Sequence, residues 1–477
     1  MAENDHPAAA ASPVPAAQEP EARVRGRLPL EEMAGSFTLL RKVIVRLAWP
    51  VAAEMLLHTL TQIVDMMMVS RLGKAPIAAV GLSFRPMFLF MSVFLGIGAG
   101  TTALVARSMG RREPAEAAKV THQATMATIL VAVVFAAGIW ALAPWIQSFM
   151  GAEADVLPLG TTYMRAVSWG LPFMYISMVL TSALRGAGDT HTSMRVNAAA
   201  NIVNVVLNYA LIFGHFGLPR LEVQGAAIAT SLSRAAAGIV IIGLTLRGKL
   251  VIPPPARLLS FDPAVFLRVA RVGIPASLER VLLSLAMIFH LKMLAVEGTV
   301  AVAAATLSQN IEELSHMPSI GLSVSASALV GQFLGHERPD MAAVSGRECV
   351  KIALVFMGVM GLLFVVWPGV FLALYAPEPD VFPVAVTLLQ LVGLAQPFMA
   401  VAFVLAGALR GAGDTRSVAF ATAFSVWGVR LSLTYVFMNC FGWGYAGAWG
   451  AMVIDSAVRA AIVCFIFVRG GWRKVKV

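Results

Sequence analysis

The chain has 477 residues, of which 58 % are hydrophobic and only 13 % charged, with a mean hydropathy of +0.78 and a formal net charge of +10. Soluble domains carry about 25 % charged residues, so this chain cannot cover itself with polar surface and a water-soluble globular protein is excluded. The basic excess is spread over alternate connections between apolar stretches, which is a topology signal and excludes a dedicated nucleic-acid surface.

In chain order, residues 1–40 are rich in Ala, Pro and Glu, lack the apolar core of a signal peptide, and read as a disordered cytoplasmic tail. Twelve apolar stretches of bilayer length follow, at 47–69, 77–105, 121–145, 160–184, 193–213, 225–246, 272–296, 300–333, 350–373, 383–408, 417–438 and 446–468. The second and eighth are longer than a straight span requires, and Gly96, Gly98, Gly100, Gly321 and Pro318 predict bends there. Residues 247–271, with Pro253, Pro254 and Pro255, read as a cytoplasmic linker between a lobe at 41–246 and a lobe at 272–468, and 469–477 as a basic cytoplasmic tail. Arg107, Arg111, Arg112, Arg247, Lys249, Arg338, Arg347 and Lys474 fall on the side of both termini, while Glu153, Asp155, Glu222, Glu297 and Glu378 fall opposite, so both termini are expected in the cytoplasm. Cys349, Cys440 and Cys464 have no metal-type spacing and read as packing residues.

The halves are copies. Arg185-Gly186-Ala187-Gly188-Asp189-Thr190 recurs as Arg410-Gly411-Ala412-Gly413-Asp414-Thr415, an offset of 225 residues that also carries Pro50 to Pro275, Glu54 to Glu279, Gly96 to Gly321, Gly110 to Gly335 and Pro172 to Pro397. Six spans per half is even, so the repeats are parallel. The paired motifs read as turns, with Gly supplying the tight bend and Asp189 or Asp414 capping the next helix; they lack the Lys-Ser/Thr of a phosphate loop.

Charged groups at bilayer depth are costly and mark protein interiors or water-filled cavities. In the first span, Glu54, His58, Thr61, Gln62 and Asp65 share one helical face, a polar stripe that must face protein or cleft. Asp65 is the prime candidate, because a carboxylate out of water takes a proton readily or holds a cation among neighbouring oxygens. Asn201, Asn204 and Asn208 share a face of the fifth span. In the second half the repeat places His290 where the first has Asp65. Glu312 and Glu313 lie in the eighth span; one is expected to face the cleft and attract a cation, the other to pair with Lys292 or Arg280. Of the 24 methionines, Met66, Met87, Met91, Met174, Met178, Met287 and Met399 are candidates for a deformable cleft wall.

Five segments together resemble the multidrug and toxic compound extrusion (MATE) transporters, bacterial type: IVDMMMVSRLG at 63–73, the two LRGAGDT motifs, NIVNVVLNYALIFG at 201–214 and GQFLG at 331–335. The resemblance covers roughly residues 40–468. It implies an all-α membrane fold of two six-helix lobes around a central cleft, in a bacterial inner membrane and as a monomer. It also implies export of amphipathic organic cations in exchange for H⁺ or Na⁺, with no cofactor and no enzymatic step. Asp65 matches the family's ion-coupling carboxylate, Asn204 and Asn208 its partners, and Thr230 a further oxygen. Some members carry a second Asp where this chain has Asn208, and others place acids in the seventh and tenth spans; here the seventh-span positions are Leu282, Leu283, Leu285 and Ala286, and the tenth span holds no acid. Coupling is therefore expected in the first lobe. The alternatives are a flippase of lipid-linked cargo within the wider superfamily, which would want a cationic groove, and a membrane enzyme, for which no HExxH, GxSxG or phosphate-loop motif is present.

Overall fold

A computed structural model of the protein describes residues 28–255, 261–375 and 377–475, and among them there is no strand. Apolar sequence of bilayer length leaves a helix as the form that satisfies every backbone polar group internally. The first half comprises α1 (Leu30–Gly35), α2 (Phe37–Ser70), α3 (Lys74–Gly110), α4 (Pro114–Phe149), α5 (Val156–Ser168), α6 (Leu171–Ala187), α7 (Thr190–Phe213) and α8 (Glu222–Leu246). The second comprises α9 (Pro263–Leu294), α10 (Thr299–Gly335), α11 (Pro339–Val366), α12 (Pro368–Ala373), α13 (Val381–Gly411), α14 (Thr415–Ala423), α15 (Ser432–Tyr435) and α16 (Gly444–Arg469). α14 and α15 belong to one continuous span that widens into π-helical turns at Phe424–Leu431 and Val436–Cys440.

Among the described residues eleven helices are long and apolar enough to cross a membrane, twelve when α5 and α6, set at 50°, count as one broken span. Each falls on one of the twelve apolar stretches. The two long stretches are uninterrupted helices, α3 and α10, and the break lies instead at Trp169–Gly170. Pro172 explains it: its ring crowds the carbonyl four residues back, at Ser168, where α5 ends. Its repeat counterpart Pro397 stays inside unbroken α13.

Three boundaries differ from the sequence reading. Residues 1–27 lie outside the described residues, but 28–40 are largely helical rather than tail: Met33 is buried, and the Ser36 hydroxyl caps α2 by accepting from the Leu39 N–H at 3.3 Å. The linker is shorter than 247–271, of which 256–260 lie outside the described residues, because α9 starts at Pro263. Asp262 caps that helix through the N–H groups of Ala264 and Val265, at 2.9 and 3.2 Å, with proline at the first helical position. The C-terminal tail is anchored as far as Trp472, which is buried and stacked on Phe467; residues 476 and 477 lie outside the described residues. Of the cysteines, Cys349 alone is buried; Cys440 and Cys464 are exposed.

The two cores are interlocked. Leu40, Val43, Ile44, Leu47 and Ala48 of α2 belong to the hydrophobic core of the second half, while Val265 and Val269 of α9 belong to a core of the first. Beyond Pro50 and Pro275 each helix turns its polar face to its own half, α2 packing on α7 and α9 on α14.

Candidate functional site

Asp65 lies on α2, half-buried, facing α7. Buried Asn208 donates its amide N–H to Asp65 Oδ1 at 2.5 Å. Asn204, one turn earlier, donates to both carboxylate oxygens at 3.1 and 3.0 Å when its amide nitrogen faces the acid, the orientation that satisfies both groups. The other amide atom of Asn204 lies 3.4 Å from the Thr230 hydroxyl on α8. The fifth-span asparagines and Thr230 are thus gathered around one carboxylate. The buried oxygens Asn201 Oδ1 and Asn208 Oδ1 have no hydrogen-bond partner among the described residues.

Arg234 on α8 is the feature that the sequence reading missed. Its guanidinium lies 3.3 Å from His58 Nδ1, and its positive charge acts on both Asp65 and Glu54. No carboxylate lies within 4 Å of it among the described residues. The signal was available: a lone arginine in the apolar stretch 225–246 is an intramembrane charge. Gln62 is half-buried on the same helix as Asp65.

Glu54 is held separately. It accepts from Arg185 at 2.5 Å, Asn197 at 2.8 Å and Ser193 at 3.1 Å. The repeat reproduces this arrangement: Glu279 accepts from Arg410 at 2.6 Å and from Thr422 at 3.2 Å. The motif arginines therefore neutralise a buried glutamate in each half. Asp189 and Asp414 accept from the N–H groups of Thr192 and Ser417, at 3.0 and 3.3 Å, at the starts of α7 and α14. Gly188 and Gly413 take φ of +90° and +86°, a left-handed turn that favours glycine. A Cβ on Gly186 would stand 2.5 Å from the Thr102 carbonyl oxygen and one on Gly411 2.1 Å from that of Ser327, so backbone meets backbone at both places.

Among the described residues the second half holds no counterpart of the Asp65 cluster. His290 lies 3.4 Å from the Thr434 hydroxyl and against the Trp449 ring. A different buried acid of this half, Asp455 on α16, is paired with Arg430 at 2.6 Å and Arg459 at 3.4 Å and accepts from Ser425. The π-helical turns carry both Arg430 and Ser425. The expected pairing of Glu312 or Glu313 with Lys292 or Arg280 does not occur: buried Glu312 lies 3.5 Å from His316, one turn along α10, and Glu313 is exposed without an ion pair among the described residues. Helical spacing brings His316 within reach where Lys292 and Arg280, on α9, are not.

The methionines divide. Met399 is buried in the core of the second half and does not line a cleft, because α13 is enclosed by α10, α11 and α16. Met87, Met91, Met174 and Met178 are half-buried against a first-half cluster around Phe94 and Tyr175. Met66 and Met287 are exposed, the latter with its sulfur 3.6 Å from Arg430.

Most of the hydrogen bonds and ion pairs between the halves lie toward the motif-bearing ends of the helices. Arg107 donates to the Ala412 carbonyl at 3.1 Å, and Gln332 to the Gly186 carbonyl at 2.9 Å. Arg41 pairs with Glu348, Lys119 with Asp262, Arg268 with Glu116, and Ser277 and Ser325 bond to the carbonyls of Val93 and Ile44. Met66, Met67, Phe84, Phe88, Met287 and Phe289 are exposed toward the opposite ends, as Trp49, Leu267 and Phe420 are toward the motif ends.

A sequence profile of the MatE family matches residues 50–210 and again 275–436. The chain is similar to a probable multidrug resistance protein NorM of Thermotoga maritima, 28 % identical over 457 residues that make up 94 % of this chain and 95 % of that one. It is also similar to a NorM of Shewanella oneidensis, 29 % identical over 90 % of this chain and 94 % of that one. Its fold superposes on a MOP superfamily transporter from Pyrococcus furiosus with a TM-score of 0.85 at 23 % identity, over 92 % of this chain and 97 % of that one. An outward-facing multidrug resistance MATE transporter superposes over the same shares with a TM-score of 0.84.

Proposed function

Because the chain belongs to the MatE family of membrane transporters, and is not an enzyme, we propose that it exports amphipathic organic cations across the bacterial inner membrane by exchange for protons, acting as a monomer with both termini in the cytoplasm. The names of its NorM relatives support multidrug cargo. The observation that carries the coupling is the single carboxylate of Asp65, met by amide N–H donors from Asn204 and Asn208 rather than by a cage of oxygens. A Na⁺ ion wants several oxygen ligands, whereas a proton needs one basic atom and neighbours that can turn. The unpaired Asn208 oxygen is free to accept once that acid is protonated.

In this mechanism a cationic substrate and a proton compete for the same negative charge. Protonation from outside removes the attraction that holds the cargo, and the deprotonated site binds the next cation from within. Coupling arises because each ligand favours a different state of the lobes. Bonds between the halves concentrated toward the motif end suit a cleft open to the outside.

Arg234 supports a refinement: a guanidinium with no carboxylate within hydrogen-bonding distance suits cargo that carries an anionic group as well as a cation. Inside-out vesicles loaded with an imposed pH gradient or an imposed Na⁺ gradient test the reading, with ethidium and a zwitterionic fluoroquinolone as cargo. Transport driven by the pH gradient alone is expected. Transport driven only by Na⁺ contradicts the proton assignment.

A further inference from the structure

A second site lies away from Asp65, in a groove of about 540 Å³ between the motif-side ends of α7 and α8, lined by Thr192, Arg195, Val196, Leu244, Lys249 and Leu250. We propose that this groove binds the phosphate of an anionic phospholipid head group from the adjoining leaflet. The lining combines two cations and a hydroxyl with the apolar side chains of Val196, Leu244 and Leu250, the two chemistries that a phospholipid presents in its phosphate and its acyl chain.

The cations are placed rather than merely present. Lys249 follows the end of α8, where its N–H is bonded to the Leu244 carbonyl at 3.1 Å. Beyond it Leu250 and Val251 pack on a first-half core and Ile252 is buried in that core, so the backbone carrying the lysine is pinned. Arg195 projects from the second turn of α7 and is exposed. Neither cation has a carboxylate within 4 Å among the described residues. The nearby acid, Asp189, already accepts from the Thr192 N–H at the start of α7. Beside the groove Trp49 meets His191 edge-on at 5.4 Å, with Trp49 half exposed, as an aromatic at the level of lipid head groups is. Cations left unpaired beside apolar side chains at a membrane boundary are matched by a lipid phosphate better than by a free ion, which gains nothing from those side chains.

The full-length protein in detergent, examined by native mass spectrometry, tests this with phosphatidylglycerol against phosphatidylcholine of the same acyl chains. Wild-type protein is expected to retain phosphatidylglycerol selectively. Each cation near an anionic lipid is worth about a factor of five, so Arg195→Gln with Lys249→Gln should weaken retention about twenty-five-fold. The exchanged pair Arg195→Lys with Lys249→Arg should retain it, and so should Arg347→Gln with Arg416→Gln, which removes two exposed cations elsewhere on the same side. Equal retention of both lipids, or equal loss in the groove variant and the remote variant, would overturn the proposal. So would displacement of the lipid by millimolar inorganic phosphate, which would make the groove an anion site rather than a lipid site.

Discussion

At the scale of single residues the decisive contrast is between two acids on the same helix, one buried and one half-buried. Glu54 has a full-time cationic partner in Arg185, and among the described residues Asp65 has only amide donors within hydrogen-bonding distance. In the proposed mechanism the paired acid is a structural charge and the amide-bonded acid is the one that exchanges a proton. Asn208→Ala removes a hydrogen bond to a charged group, worth about 1.5–3 kcal/mol. We expect proton-driven efflux to fall about tenfold or more while the amount of folded protein is unchanged, as read by vesicle transport and size-exclusion chromatography. Arg185→Gln should act the other way round, leaving Glu54 buried and unpaired. Breaking such a pair costs about 3–5 kcal/mol, so a large drop in detergent melting temperature is expected, and Glu54→Gln in the same chain should restore much of it. Asp65 and the fifth-span asparagines were legible because helical spacing put each set on one face. Arg234 was equally visible as an isolated charge, yet its place beside His58 depends on how α8 packs, which spacing along one helix cannot convey.

At the scale of elements, the repeat predicts correspondences that packing then honours or breaks. Glu54 with Arg185 and Glu279 with Arg410 are the same device used twice, and the offset of 225 residues pairs them without error. Asp65 and His290 are the break, and the second half answers with a different arrangement, Asp455 between Arg430 and Arg459. These three charges stood in the eleventh and twelfth apolar stretches as plainly as Asp65 did in the first. Their association was hidden because π-helical turns at Phe424–Leu431 shift the face on which Arg430 emerges. Asp455→Asn leaves two guanidiniums facing each other out of water, and we expect a loss of stability of about 3–5 kcal/mol in the second half. Thermal unfolding in detergent checks the loss, and an unchanged melting temperature would contradict it. Helix starts at Ser36 and Asp262 carried cap signals that composition-based boundaries passed over, since apolar runs mark where a helix meets lipid, not where it begins.

At the scale of the molecule, the first helix of each half crosses into the core of the other, and the bonds between halves gather at the RGAGDT ends. Twelve spans and a duplication were readable from hydropathy and the repeated motif. The interlock was not, because it pairs Leu40–Ala48 with residues near 330 that no local pattern connects. Arg107→Ala with Gln332→Ala removes both reciprocal bonds to the motif turns. We expect that pair to shift the protein toward a state open at this end, seen as faster labelling of a cysteine placed at Ala103, which is fully buried here. The central claim, that Asp65 exchanges one proton for one cationic cargo, is tested most directly by proton movement itself. Proteoliposomes carrying an outward ethidium gradient and a pH-sensitive dye inside should acidify as ethidium leaves with the wild-type protein, and should not with Asp65→Asn. Ethidium exit without acidification in the wild type, or acidification preserved in Asp65→Asn, would contradict the account.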